Sequence, residues 1–304
     1  MNSVGQMRLS LRCLGILSMA VLLRSAGWAQ NPFEDAVKQL SSDNVRGYLQ
    51  PFVNAMGANL NSGLYRSASI SEGGVSVKLD FVGMGTFIGD NEKGYSGVPP
   101  QPFSQTPVTT ATVYGDKGTI VTDPSGISYQ FQNGQVKTSF VPFAAPQLTV
   151  GNLFGSQAIV RYVPIPEVGD FPKVTLFGIG GRHSISRYLP DLPVDLAAGL
   201  FYQSFDVGDI ISAKTFNIGA QASKSFSVLT LYGGLQWETS SMDLSYAYTG
   251  PGSTPSTKVT LSMDGENNIR AMAGLGLSLA ILNINADINV GKVVVASGGI
   301  GFGF

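Results

Sequence analysis

The chain has 304 residues, one Cys, one His and a formal net charge of −1 at pH 7. Only 13% of its residues are charged, well below the ~25% of an ordinary soluble domain. So few Cys and His residues argue against disulfides, thiolate metal sites and transition-metal catalysis. The lack of a basic surplus argues against a nucleic-acid partner.

The first 29 residues have the features of a signal peptide. Arg8 and Arg12 precede the apolar run 14–23, which is too short for a helix that crosses ~30 Å of hydrocarbon. Small residues at Gly27 and Ala29 suit a cleavage site, so the mature chain is expected to begin at residue 30. Cleavage would remove the only Cys and three basic residues, leaving a net charge of about −4. An uncleaved N-terminal anchor is the alternative.

Residues 30–72 are predicted to form an N-terminal helical segment. Pro32 suits a first helical turn, and apolar residues then recur at helical spacing as far as Ala58. Pro51 is expected to kink or break this helix. The apolar positions are Phe33, Ala36, Val37, Leu40, Val45, Tyr48, Leu49, Phe52, Val53 and Met56.

From residue 73 to the end, the sequence alternates with a period of two, which is typical of strands with one apolar and one polar face. Near the start, Val77, Leu79 and Phe81 alternate with polar residues, and Thr215–Ala222 and Leu229–Trp237 show the same pattern. Near the end, one face is Ile284, Ala286, Ile288 and Val290, and the other is Asn283, Asn285, Asp287 and Asn289.

Ten spanning strands are predicted, one near Gly74 and the others over 147–154, 156–163, 173–183, 194–205, 210–223, 226–239, 267–280, 282–290 and 292–304. The polar, turn-rich stretch 89–146 is predicted to be a long extracellular region with short hairpins, although weak strand signals in 107–146 could add two to four spans. Residues 242–248 and 256–263 are read as a hairpin beyond the membrane, or as two further spans. Residues 222–225 are predicted to be a short turn.

The predicted fold is therefore all-β: an antiparallel transmembrane β-barrel of about 10–14 strands, residues 73–304, with an N-terminal helical segment. In such a barrel the apolar face contacts outer-membrane lipids and the polar face lines the lumen. A soluble sandwich would place its apolar face inward instead. The terminal Phe304 is expected to be read by the barrel assembly machinery. In a barrel, residues 31–60 would form a plug, a periplasmic cap or a frayed leader helix.

Several stretches resemble a known family: 57–68 (GANLNSGLYRSA) with 82–87, 146–151 with 161–164, 181–185 with 188–190, and 228–234. They resemble uncharacterised outer-membrane β-barrels of Bacteroidetes/Chlorobi-type bacteria, a domain of unknown function, from about residue 33 to the end. The arrangement is more distantly similar to the long-chain fatty-acid transporter type of barrel. The resemblance implies an outer-membrane location and supplies no functional residues.

The residues predict no catalytic, metal or cofactor site. A Ser two residues after His183 would share its strand face, but residue 185 is Ile, so a hydrolase is not expected. Asp206 with Asp209, or Asp123, could bind Ca²⁺, but their spacing lacks the EF-hand pattern. Two functions remain: a channel or porter for small, possibly hydrophobic solutes, and a non-conducting structural or adhesive barrel acting through its loops. Lumen residues are expected to be small and neutral.

Overall fold

The computed structural model describes residues 42–70, 74–169, 171–189, 191–248 and 257–303. The described chain forms one long helix, α1 (Ser42–Leu60), and strands that pair antiparallel. Within these ranges, no helix is both long and apolar enough to cross a membrane. The strands are β1 (Ser76–Phe87), β2 (Gly94–Gly97), β3 (Val108–Ala111), β4 (Ile120–Thr122), β5 (Ser128–Gln130), β6 (Phe140–Leu153), β7 (Ser156–Ile165), β8 (Val174–Ser184), β9 (Asp195–Val207), β10 (Ile211–Phe226), β11 (Leu229–Tyr248), β12 (Thr257–Asp264), β13 (Ile269–Leu279), β14 (Leu282–Val290) and β15 (Val294–Gly303).

Ten of these strands close into a barrel. β1 pairs with β15 on one side and with β6 on the other, so that Phe81 lies between Ile300 and Pro146. The β10–β11 pairing completes the ring β1-β6-β7-β8-β9-β10-β11-β13-β14-β15. The ten predicted spans are thus confirmed. Each wall strand therefore has a partner on both sides over at least part of its length.

The two faces of the wall are those predicted from the alternation. Val77, Leu79 and Phe81 on β1 are exposed on the outside, whereas Asp80 and Thr86 are buried inside. The same separation holds on the last strands, where Ile284, Ile288, Ile300 and Phe302 face out and Asn285, Asp287, Asn289 and Ser297 face in. An apolar exterior around a polar interior is the arrangement of a transmembrane barrel and the reverse of a soluble sandwich.

The two ends of the barrel differ. The turn end carries the two-residue links 154–155, 227–228 and 280–281. The loop end carries residues 88–139, which we call the outer lobe and which contain the β2–β3 and β4–β5 hairpins. At the loop end, the second half of β11 pairs with β12. This confirms the predicted hairpin there and excludes two further spans.

Two boundaries differ from the prediction. Residues 222–225 are not a turn: β10 continues to Phe226, and Ser227, with φ 57°, begins the link to β11. The polar run remains extended because Ser225 Oγ lies 2.9 Å from Thr230 Oγ1 on the neighbouring strand. β6 begins at Phe140 rather than 147, despite the prolines at 142 and 146. It pairs with β7 from Gln147 onward. Both prolines precede that stretch, so their missing N–H groups take no hydrogen bond from the β6–β7 ladder.

The helix does not break at Pro51, because α1 continues through it to Leu60. A proline inside a helix costs about 3 kcal/mol, and the contacts of α1 with six strands offset that cost. The predicted signal peptide 1–29, the helix start at 31–41 and Phe304 lie outside the described residues.

Candidate functional site: a segment that crosses the barrel lumen

Residues 42–70, which we call the threading segment, begin at the loop end of the barrel. The Asn44 side chain donates to the Val98 carbonyl (2.8 Å) and accepts from the Val98 N–H (3.0 Å). The Tyr48 hydroxyl donates to the Asn133 carbonyl (2.8 Å). The first turns of α1 are thereby fixed to the outer lobe, and burial raises the pKa of Tyr48 above its ordinary value.

The second half of α1 descends into the lumen. Asn59 Nδ2 donates to the Val141 carbonyl (2.8 Å), and Thr86 Oγ1 donates to the Ala55 carbonyl (3.0 Å). The apolar side of the helix joins a core formed with inward-facing wall residues. That core includes Val45, Leu49, Val53, Met56, Phe143, Phe205, Met242 and Met263.

Below α1, one buried arginine holds the segment through its backbone. Arg161 Nη2 donates to the carbonyls of Ser62 and Gly63, both at 2.9 Å, and its Nε donates to Gln147 Oε1 (3.0 Å). Gly63 has φ 66°, and a Cβ there would come within 2.5 Å of Val82 Cγ1. Glycine is therefore required at this passage, since the backbone is left-handed and pressed against the wall.

The opposite wall holds the same stretch with an ion pair. Arg270 and Glu238 lie 2.7 Å apart, and each exposes only 1% of its side chain. Arg270 Nη2 also donates to the Ala58 carbonyl (3.0 Å), and Gln236 Nε2 donates to the Asn61 carbonyl (3.2 Å). Both walls thus satisfy carbonyls at and beyond the end of the helix, which would otherwise lack partners.

The last part of the segment reaches the turn end. Arg182 Nη1 donates to the Ser67 carbonyl (2.8 Å), and the Ala68 N–H donates to Ser223 Oγ (2.9 Å). Ser67 Oγ and Ser223 Oγ lie 3.3 Å apart. The chain therefore enters the lumen at one end, crosses it, and begins β1 at the other.

The expected small and neutral lumen is wrong. The wall places Asp80, Arg161, Arg182, Glu238, Arg270 and Asp287 inside the barrel, together with many amides. These charges occur singly along separate strands, so the sequence does not reveal how many of them meet. Sequence reasoning also missed that Asp80 and the three arginines all contact residues 58–68, because the lumen contacts are remote in sequence.

The only histidine lies at the turn end, on the outer edge of the wall. His183 Nδ1 is 2.8 Å from Ser156 Oγ, and its Nε2 is 2.9 Å from the Tyr188 hydroxyl. Ser156 and His183 are direct cross-strand partners. Both ring nitrogens therefore face hydroxyl oxygens, whereas in the Ser-His-Asp triad one of them donates to a carboxylate.

The three aspartates singled out from the sequence do not meet. Asp206 and Asp209 line a loop-end groove of about 730 Å³ with Glu167 and Lys173. Asp123 instead caps the β4–β5 turn, and the Ser125 hydroxyl bound to it lowers its pKa. Among the described residues, no three His, Cys, Asp or Glu side chains are grouped so as to hold a metal ion.

A closed wall, an apolar exterior and a polar lumen crossed by part of the same chain define the class: a transmembrane β-barrel with an internal segment. The chain belongs to the family of unknown function DUF6588, whose model matches residues 7–304. The predicted kind of family, one of unknown function, is confirmed. No curated protein matches the sequence.

Solved barrels resemble the chain only loosely. The attachment invasion locus protein Ail of Yersinia pestis is 11% identical over 76% of this chain and 99% of its own, with a TM-score of 0.29. The translocator domain of autotransporter NalP from Neisseria meningitidis is 13% identical over 90% and 99%, with a TM-score of 0.25. A porin mutant of Rh. blastica is 11% identical over 76% and 100%, with a TM-score of 0.17. Likeness at these scores carries no argument about function.

Proposed function

We propose that the protein is an outer-membrane barrel that passes small solutes when the threading segment shifts within the lumen. The observation that carries this proposal is the chemistry of the contact: beyond α1, charged and amide side chains of the wall bind the segment, beside a small apolar cluster of Leu64, Tyr65, Ile159 and Phe201. In outer-membrane barrels short turns face the periplasm and long loops face outside. The turn end is therefore periplasmic and the outer lobe extracellular.

The cost of this polar interior supports a working lumen. Buried ions carry a desolvation penalty of several kcal/mol each, and apolar replacements of buried ion pairs are often neutral or stabilising. A barrel needed only as a membrane anchor could fill its interior with apolar side chains. The Arg270–Glu238 pair and Arg161 instead leave a hydrophilic wall whenever residues 61–70 move aside, and such a wall is compatible with water and solutes.

Apart from the Arg66–Asp80 ion pair, the polar contacts of residues 60–70 with the wall are hydrogen bonds that water can replace. Arg161 donates only to neutral oxygens, and the contacts of Gln203 and Gln236 with the segment are single bonds of 3.2 Å. The net contribution of each is modest, about 0.5–1.5 kcal/mol for a bond between neutral groups and about 1.5–3 kcal/mol for one from the charged Arg161. The distant resemblance to the long-chain fatty-acid transporter type of barrel adds hydrophobic carboxylates to the solutes worth testing.

A second candidate function is a non-conducting barrel that acts through its extracellular surface. It is favoured by the outer lobe, which is ordered by its own bonds to α1 rather than by the wall alone. The Val113 N–H donates to the Tyr48 carbonyl (3.0 Å), and the Asn44–Val98 pair adds two more bonds. Such a lobe would present a fixed surface to a partner.

Solute flux distinguishes the two candidates. Purified protein in liposomes is compared with a variant that lacks residues 31–60, using swelling in sugars and short fatty acids, and single-channel recording. We expect the intact protein to exceed protein-free liposomes and the variant to exceed the intact protein. If the flux through the intact protein equals that of protein-free liposomes while the variant conducts, the segment is a permanent plug and the proposal is contradicted. If both are silent although folded, the second candidate stands.

A further inference from the structure

A cavity of about 330 Å³ opens at the turn end of the lumen, beside the last part of the threading segment. Both the segment and the wall line it. The side chains that matter here are Arg66 and Ser67 from the segment and Lys78, Asp80, Gln157 and Arg182 from the wall.

The lining carries more positive than negative charge. Arg66, Lys78 and Arg182 contribute three cations, and Asp80 is the one carboxylate among the described lining residues. Arg66 Nη1 forms an ion pair with Asp80. Lys78 lies within electrostatic range of Asp80, Arg66 and Arg182. Two of the three cationic charges are therefore not neutralised by this set of residues.

The hydrogen-bonding capacity of the cations is also incompletely used. Arg182 donates to neutral oxygens, Gln157 Oε1 and the Ser67 carbonyl. Arg66 keeps 15% of its side chain exposed, but its Nε and Nη2 atoms are buried and have no acceptor. This edge of the guanidinium lies against the wall at Gly299 rather than in the cavity, so Arg66 contributes its positive charge there and not a pair of accessible donors.

We propose that this turn-end cavity binds a small anion that carries a carboxylate or phosphate group. The ammonium of Lys78 is its direct ligand, and the guanidinium groups of Arg66 and Arg182 add longer-range attraction. Desolvated cations without a matching anion are costly, so an anion in the cavity would stabilise the folded barrel. This binding does not depend on whether the barrel conducts, and therefore goes beyond the function proposed above.

A substitution at Asp80 should strengthen anion binding rather than weaken it. The Asp80 carboxylate lies against Gly301, where a Cβ would overlap it, and neutralises Arg66. The isosteric Asp80→Asn removes this negative charge without changing the volume of the side chain. It should therefore tighten anion binding severalfold, whereas loss of a cation should weaken it.

The test is equilibrium binding to the full-length barrel in non-ionic detergent, at low ionic strength, by isothermal titration calorimetry. Inorganic phosphate and acetate are the two probes, and the ratio of their dissociation constants shows whether the site prefers a phosphate or a carboxylate group. We expect Lys78→Met to weaken binding of the preferred probe at least tenfold. Arg66→Gln should weaken it by a smaller factor, and if it fails to fold, Lys78→Met alone decides.

The matched control is Lys224→Met, which removes one cation at the same end of the barrel but outside the cavity. Heat-modifiable gel mobility verifies that each variant is folded. Unchanged binding in Lys224→Met with tighter binding in Asp80→Asn supports the site. The proposal is overturned if neither probe binds at millimolar concentration, if Lys78→Met binds like the wild type, or if Lys224→Met loses as much affinity.

Discussion

Leu235→Arg on β11 probes whether the apolar exterior faces lipid. Leu235 is 65% exposed and points away from the lumen, between Ala220 and Ala271 on the flanking strands. It lies six residues from Leu229, the first residue of β11 at the turn end. At ~3.3 Å per residue and a strand tilt of ~40°, that is roughly 15 Å along the barrel axis. In an apolar band of about 25 Å, this position is close to the midplane.

The expected cost follows from that depth. An arginine on the lipid face costs about 2–4 kcal/mol at the midplane and about 0–1 kcal/mol near the interfaces. Leu231 is only two residues from the start of the strand, roughly 5 Å along the axis. We therefore expect Leu235→Arg to lower the free energy of unfolding by about 2–4 kcal/mol, and Leu231→Arg by at most about 1 kcal/mol. Urea titration of folding into lipid vesicles measures both.

The control is Ile127→Arg in the β4–β5 turn of the outer lobe. Ile127 is 60% exposed, much like Leu235, but lies beyond the wall, so we expect little change in stability. Equal costs at residues 127 and 235, or a larger cost at 231 than at 235, would refute the assignment of the exterior to lipid.

Three further predictions concern topology, assembly and the contact between α1 and the outer lobe. Asp43→Cys should react with an impermeant maleimide on intact cells and Ser227→Cys only after permeabilisation, because the two exposed residues lie at opposite ends; the reverse result would invert the barrel. Deletion of Phe304 should lower the yield of inserted barrel far more than deletion of the exposed turn 124–127, and equal yields would count against terminal recognition. Asn44→Ala leaves two backbone groups of the outer lobe unpaired and should cost about 1–3 kcal/mol; unchanged thermal unfolding on gels would contradict the described contact.

The wall was predictable from the sequence because its pattern is local. Each strand alternates with a period of two, so the faces of residues such as Ile288 and Asn289 can be predicted without knowing which strands pair with theirs. The positions of the ten spans and the loop-end hairpin followed from the same signal, but the strand number stayed between about 10 and 14, because weak strand signals in 107–146 could also have been spans. The prediction was wrong at two prolines: Pro51 lies inside a helix held by tertiary contacts, and Pro146 lies in a wall strand.

The candidate site was not predictable for the opposite reason. Arg161 and Arg270 are isolated charges in apolar strands, and nothing local indicates that both point at residues 58–63. Residues 61–70 show no periodicity, since their backbone is satisfied by wall side chains rather than by a ladder or helix. Only closure of the barrel brings these groups together. The resemblance marked residues 57–68 as distinctive but supplied no role for them.

Locking the segment to the wall tests the central claim, that solutes pass only when the segment moves. Ser67 and Ser223 have hydroxyl oxygens 3.3 Å apart, so cysteines at both positions can form a disulfide after a small adjustment. The predicted mature chain has no other Cys, and each single variant serves as the control. We predict that the oxidised Ser67→Cys/Ser223→Cys barrel loses single-channel conductance and regains it on reduction. Conductance that stays at the wild-type level in the fully oxidised protein would contradict the account.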